Sequence, residues 1–222
     1  MKNNKHIFIV LTALSFIAAF ISVLGIFEFG DMFISFMSGN SARLGIHIAN
    51  GPVKEVVFYT GALTFFIFGV YIANILVPTL DALGMIQIML IECVLLSLSL
   101  VMDSVHDSLP SFLLLTFAMG MQNRLQFAIN GLILGKGYMT GVLYAIGTTL
   151  AQWTRKEKSG IDVLIIASTW IAFLSGAVCG SLSLWVVDDF FSLIFPIIFI
   201  MTLVLYVRAH FDSIETSLNP KL

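Results

Sequence analysis

Two ionisable side chains stand where this sequence is otherwise apolar: Glu92, in MLIECVLL, and Arg124, in GMQNRLQF. A charge at the centre of a bilayer costs about 2.5–3.5 kcal/mol on insertion scales, so it is normally paired, neutralised or turned to water. Placed on adjacent helices at about 1.5 Å per residue, the two fall within about 5 Å of the same depth. Either they form a Glu92–Arg124 ion pair, or Glu92 is neutral and able to carry a proton. Blander roles stand beside these: a structural hydrogen bond from Glu92 to a neighbouring helix, and snorkelling of Arg124 to the interface. Gln122, Asn123 and Gln126 either glue helices together or line a polar path.

The other candidates lie in a phrase written twice. FMSGNSARLG, residues 36–45, is answered by YMTGVLYAIG, residues 138–147. An offset of 102 residues pairs Gly39 with Gly141, Phe36 with Tyr138, Met37 with Met139, Ser38 with Thr140, Gly45 with Gly147, Ala49 with Ala151 and Asn50 with Gln152. A glycine–alanine pair recurs in the following apolar run, as Gly61-Ala62 and Gly176-Ala177. Ser38, Gly39, Asn40 and Ser41 are helix-starting and turn-making residues, and Thr140 is the expected N-cap of the second copy. A helix starting at each phrase presents free N–H groups and a positive dipole end. Interrupted backbone is tolerated in a membrane only where protein or a water-filled cavity covers it. One reading is therefore two re-entrant half-helices whose starts, with Ser38, Gly39, Asn40, Arg43, Thr140 and Gly141, line a shared polar path. The other is surface turns leading into interfacial amphipathic helices, with the glycines serving close packing.

The elements that must position these residues are membrane spans. Of 222 residues, 59% are hydrophobic and 11% charged, whereas a soluble domain devotes about a quarter to charge. Apolar runs of about 20 residues, enough to cross about 30 Å of hydrocarbon, occur at about 7–27, 56–80, 83–102, 109–130, 161–186 and 190–208. They are long and continuous, so the expected fold is all-α and polytopic rather than a barrel. The first run exceeds the length of a signal-peptide core and lacks a small-x-small cleavage site, so it reads as a retained span. Lysine and arginine concentrate on one side if the N-terminus is cytoplasmic, leaving only Arg43 and Lys54 outside. Both termini are then cytoplasmic, with Trp153, Trp185 and Tyr206 as interfacial aromatics.

Three spans per half make the duplication inverted, because an odd number sends the second copy in from the opposite face. A single membrane domain with repeat one at about 7–103 and repeat two at about 108–210 follows. If both phrase segments crossed fully, eight spans would make the repeats parallel.

FxSFMSGNSxRLG, with AMGMQN and then YMTG, resembles the YoaK family of bacterial membrane proteins, over about residues 8–210. The resemblance implies a multi-span inner-membrane protein and supplies neither substrate nor catalytic residues. Relatives tend to carry an acidic residue in the first span, where this chain has Ser22, and Val142 stands where the first phrase has Asn40. Any mechanism that needs that acid is in doubt here.

The expected activity is secondary transport or a channel for a small solute or ion; the alternative is a scaffold or assembly factor that binds a membrane partner or lipid. No paired carboxylates, Ser/His pair or metal-ligand spacing supports an enzyme, a cofactor or a metal. Cys93 and Cys179 read as buried small hydrophobes. Net charge −2 leaves no basic footprint for nucleic acid. The expected partners are the bilayer and a small solute or ion, with a homo-oligomer left open.

Overall fold

The structure, a computed structural model, describes residues 5–30, 32–104, 108–129, 132–134, 139–187 and 189–218. Of the positions named above, Tyr138 lies outside the described residues.

The fold is all-helical and polytopic, as expected. Helices α1 (Lys5–Glu28), α2 (Met37–Asn50), α3 (Val53–Leu76) and α4 (Ala82–Ser104) form the first half. Helix α5 (Ser108–Gln122), strands β1 (Phe127–Ile129) and β2 (Leu132–Leu134), and helices α6 (Met139–Thr154), α7 (Gly160–Ser183), α8 (Ile194–Ala209) and α9 (Phe211–Leu218) follow. Among the described residues five helices are long and apolar enough to cross a membrane: α1, α3, α4, α7 and the stretch Phe191–Ala209 around α8. Helix α5 is apolar but shorter.

That shortness corrects the expected span at 109–130. The helix stops at Gln122, and β1 and β2 then pair as an antiparallel hairpin with Ile129 opposite Leu132. The signal was legible, because Asn130-Gly131 between apolar residues is the strongest short hairpin cue. Its apolar flanks let it be read as helix.

Contacts define the helix directions. Phe16 and Phe20 of α1 face Gly176 and Gly180 of α7, with numbers rising together, so these two helices run parallel. Leu113 and Phe117 of α5 likewise face Gly61 and Gly69 of α3. Glycine is required in both seams. A Cβ on Gly176 would collide with the Phe16 carbonyl oxygen, and one on Gly69 with that of Phe117. Gly69 and Gly176 thus each meet a backbone carbonyl, whereas Gly61 meets a Leu113 methyl group at 3.0 Å. Such backbone approach is how helices associate where apolar side chains gain nothing by leaving lipid.

Helix α8 runs antiparallel to α1: Phe16 stacks on Phe199 at 5.6 Å, Phe20 meets Phe195 at 6.4 Å, and His6 stacks on His210 at 4.3 Å. The described ends of the chain therefore share one end of the bundle. Helix α4 starts there too, its first N–H (Ala82) donating to Glu215 Oε2 of α9 at 2.8 Å. That carboxylate satisfies one of the helix's orphan donors. Helix α9, amphipathic with Ile214 and Leu218 buried, was not anticipated. Helix α1, buried along most of its length, is the centre of the core.

Candidate functional site

Glu92 is fully buried, and its Oε1 accepts a 2.6 Å hydrogen bond from Nε2 of Gln122, itself 2% exposed. Together with Ser99 and Ser111, whose hydroxyls are 2.8 Å apart, this bond laces α4 to α5. Counted from the α4–α5 turn at about 1.5 Å per residue, Glu92 and Gln122 lie about 18 Å and 21 Å deep. The remainder of α4, from Glu92 back to Ala82, is about 15 Å. The backbone of α5 thus leaves helical geometry inside the bundle, about two-thirds of the way across and about 10–12 Å short of the end where α3 stops.

The released groups find partners within the chain, as membrane depth demands. Arg124 N–H donates to Met121 O and Leu125 N–H to Gln122 O, each at 3.0 Å. Asn123 Nδ2 reaches back to Met119 O at 2.7 Å, and its Oδ1 accepts from Gln126 Nε2 at 3.0 Å.

The expected Glu92–Arg124 pair gives way to two separate contacts. Arg124 donates Nε to Val77 O at 2.9 Å and Nη2 to Pro78 O at 3.0 Å. It caps the carbonyls at the end of α3, where a cation also meets the negative pole of the helix dipole. The physical reason is reach: two residues beyond the helix end, the side chain extends toward the interface and finds unpaired carbonyls there.

Between these groups and α3 lies a hollow of about 420 Å³, lined by Phe66, Val70 and Asn74 of α3 and by Asn123, Arg124 and Gln126. The α3 residues recur every four positions, so they form one helix face. Two other hollows, of about 310 and 370 Å³, lie against α1, α7 and α8 and against α4 and α8, with almost wholly apolar walls.

The first phrase folds around one ring. Gly39 admits the Phe33 ring, which would lie 2.8 Å from an added Cβ. Asn40, fully buried, takes the Phe33 N–H on Oδ1 at 3.0 Å and gives Nδ2 to the Phe33 carbonyl at 2.5 Å. The Arg43 guanidinium sits 5.7 Å from the centre of the same ring. Ser38 is exposed. Phe36, just before α2, meets Phe173 in the middle of α7 edge-on at 5.4 Å. Ser35 lies 2.5 Å from Ser22 Oγ, six residues inside the end of α1. At its other end α2 stacks His47 on Tyr59, near the start of α3. Helix α2 therefore begins inside the bundle and climbs outward. The sequence missed the clamp on Phe33, although an asparagine seven residues after an aromatic offers no recognisable cue.

The second phrase starts its helix in the same register, Met139 answering Met37 at the offset of 102. Helix α6 starts at Met139, so Thr140 lies in its first turn rather than at the expected N-cap, and it is exposed. Val142, in the place of Asn40, is buried at 3% exposure. Helix α6 packs on α7 as α2 packs on α3. Glu92, Gln122, Asn123 and Arg124 thus gather in one region, whereas Ser38, Gly39, Asn40 and Arg43 gather at Phe33, and Thr140 and Gly141 stand at the start of α6. Among the described residues none of the hollows named above is lined by either phrase.

A family model described as a protein of unknown function, DUF1275, matches residues 10–206, which include both phrases and all but the outermost residues of the first and last spans. The chain belongs to the DUF1275 family. A curated relative, a UPF0700 transmembrane protein of Rhizobium meliloti (strain 1021), is 29% identical over 190 residues, 79% of each chain. No solved structure matches this DUF1275 chain. Family and relative agree with the expectation of a multi-pass membrane protein of unassigned activity.

Proposed function

We propose that this DUF1275 member moves a small solute or ion across the bacterial inner membrane, as a secondary transporter or channel built from two inverted three-helix repeats. The observation that carries the reading is the end of α5 at Gln122, inside the bundle and hydrogen-bonded to the buried Glu92. Transporters break helices near the midplane to bring polar backbone and side chains to their cargo, and an intramembrane carboxyl is functional by default. Reciprocal seams support the duplication. The first span of each half packs on the second span of the other, α1 on α7 and α5 on α3, with a carbonyl meeting glycine in both. The ends of the chain face the cytoplasm, because Lys5, Arg155, Lys156, Lys158 and Arg208 cluster at that end while Arg43 and Lys54 do not.

Reconstitution into liposomes tests this, with a panel of solutes and ions outside and a pH-sensitive dye within. Proton-linked flux that is lost in Glu92→Gln, while the variant stays monodisperse, is the expected result. Unchanged flux in that variant sinks the relay role of Glu92. No flux in the wild type sinks transport and favours the scaffold reading, which the first phrase supports because Asn40 and Arg43 are both turned onto Phe33 of their own chain.

A further inference from the structure

The pocket beside α3 has a chemistry that the general reading leaves unused. We propose that it binds an amphipathic organic oxyanion, with the anionic head at Arg124 and a short apolar body along Phe66 and Val70. As a substrate site this rests on the transport reading; as a binding site it stands separately.

Among the described lining residues Arg124 is the one ionised group, and none is a carboxylate. The guanidinium has five N–H donors, and the α3 carbonyls take one on Nε and one on Nη2. The remaining donors lie on the nitrogens at the tip of the fork, the geometry that suits a carboxylate or phosphate. Asn74 and Gln126 flank Arg124 with amide groups, and Asn74 Nδ2 is spent on Val70 O at 2.8 Å. Phe66 and Val70 make the deeper wall apolar. The volume, about 420 Å³, is in the range of small-molecule sites.

The other half of the bundle shows what such a slot holds. Counting from the Phe117–Gly69 contact as from the Phe16–Gly176 contact pairs Phe66 with Phe173, but α1 continues as helix through Ser22 and Gly25 where α5 has already ended. There the chain's own linker fills the space: Ser35 bonds Ser22, Phe36 meets Phe173 edge-on, and Ile34 lies against Gly25. The body held is apolar with one polar group, and the walls are neutral. Beside α3 the described walls instead carry Asn123, Arg124 and Gln126 with Phe66 and Val70, a lining that suits an apolar body bearing a negative charge.

Octanoate and its neutral analogue octanamide are the probes, titrated by calorimetry against the full chain in phosphatidylcholine nanodiscs. A second arm follows phosphatidylglycerol retention by native mass spectrometry, with octanoate as competitor. Octanoate should bind saturably, octanamide about tenfold more weakly or worse, and Arg124→Gln should lose a similar factor. Because Arg124 also caps α3, Asn74→Leu is the companion variant. It narrows the mouth, leaves the cap intact and should weaken octanoate by about tenfold. If phosphatidylglycerol alone binds, and Arg124→Gln abolishes that binding, the oxyanion chemistry holds and its source is a lipid headgroup. Equal binding of octanamide and octanoate, indifference to both substitutions, or no binding of either anion overturns the proposal. The last leaves transport of another solute standing, whereas octanoate binding without flux keeps the site and removes the transport reading.

Discussion

Replacing Gly176 with alanine tests the seam that joins the two halves. In the wild type the α7 backbone lies directly on the Phe16 peptide of α1. A Cβ at Gly176 would clash with the Phe16 carbonyl oxygen, lie 2.7 Å from its carbonyl carbon and 2.9 Å from its Cα. Ordinary contact begins near 3.4 Å, and every atom met is backbone, so no rotamer change relieves the clash. The helices must separate by about 1 Å. A gap of about 0.5–1 Å forfeits a quarter to a half of each dispersion contact it opens, and overpacking of this kind costs about 1–3 kcal/mol. Alanine's better helix propensity returns up to about 1 kcal/mol. We expect a net loss of about 1–2 kcal/mol. Gly147→Ala, in α6, is the internal control. Nothing lies within 4 Å of its added Cβ, so only the propensity gain of up to about 1 kcal/mol remains. The same chemical change should therefore move stability in opposite directions at two sites. Unfolding of the detergent-solubilised protein by SDS titration, followed by tryptophan fluorescence, measures both. If Gly176→Ala proves as stable as Gly147→Ala, the backbone contact does not exist and the reciprocal seams fall with it. Gly69→Ala should copy Gly176→Ala, because the Phe117 carbonyl meets it in the same way.

Asn40→Leu removes both hydrogen bonds to the Phe33 peptide and leaves a part-buried N–H and C=O unpaired, at a cost of about 2 kcal/mol or more in the same titration; an unaffected midpoint refutes the clamp. In a Cys179→Ser background, Ser38→Cys and Thr140→Cys, both exposed positions, should react with a membrane-impermeant maleimide from opposite faces; reaction from one face overturns the inverted repeat. Arg155 hydrogen-bonds Glu157 and holds its carboxyl below the usual carboxylate range. Such a contribution is present above that range and lost as pH falls through it. Both groups are fully exposed, so Glu157→Gln should shift neither the unfolding midpoint nor its acid limb measurably.

The membrane setting, the count of apolar runs and the two glycine phrases were all readable from residue order, because they depend on local composition and on spacing along one chain. Hydropathy reports how much apolar surface a segment has, not what that surface meets. So it showed six runs but not that α5 ends at Gln122, since the apolar strands beyond it look like more helix. Charge rules placed Glu92 and Arg124 at similar depth, but their partners depended on side-chain reach across neighbouring helices. Gln122 turned out to lie against the carboxyl, and the carbonyls ending α3 against the guanidinium. The glycines were visible one by one; that Gly69 and Gly176 each face a carbonyl emerged only when α5 and α1 were packed against them. Composition and order dictated that this chain enters a bilayer as helices. Which helices touch, and hence which polar groups share a pocket, was decided by packing across residues 30 to 160 positions apart.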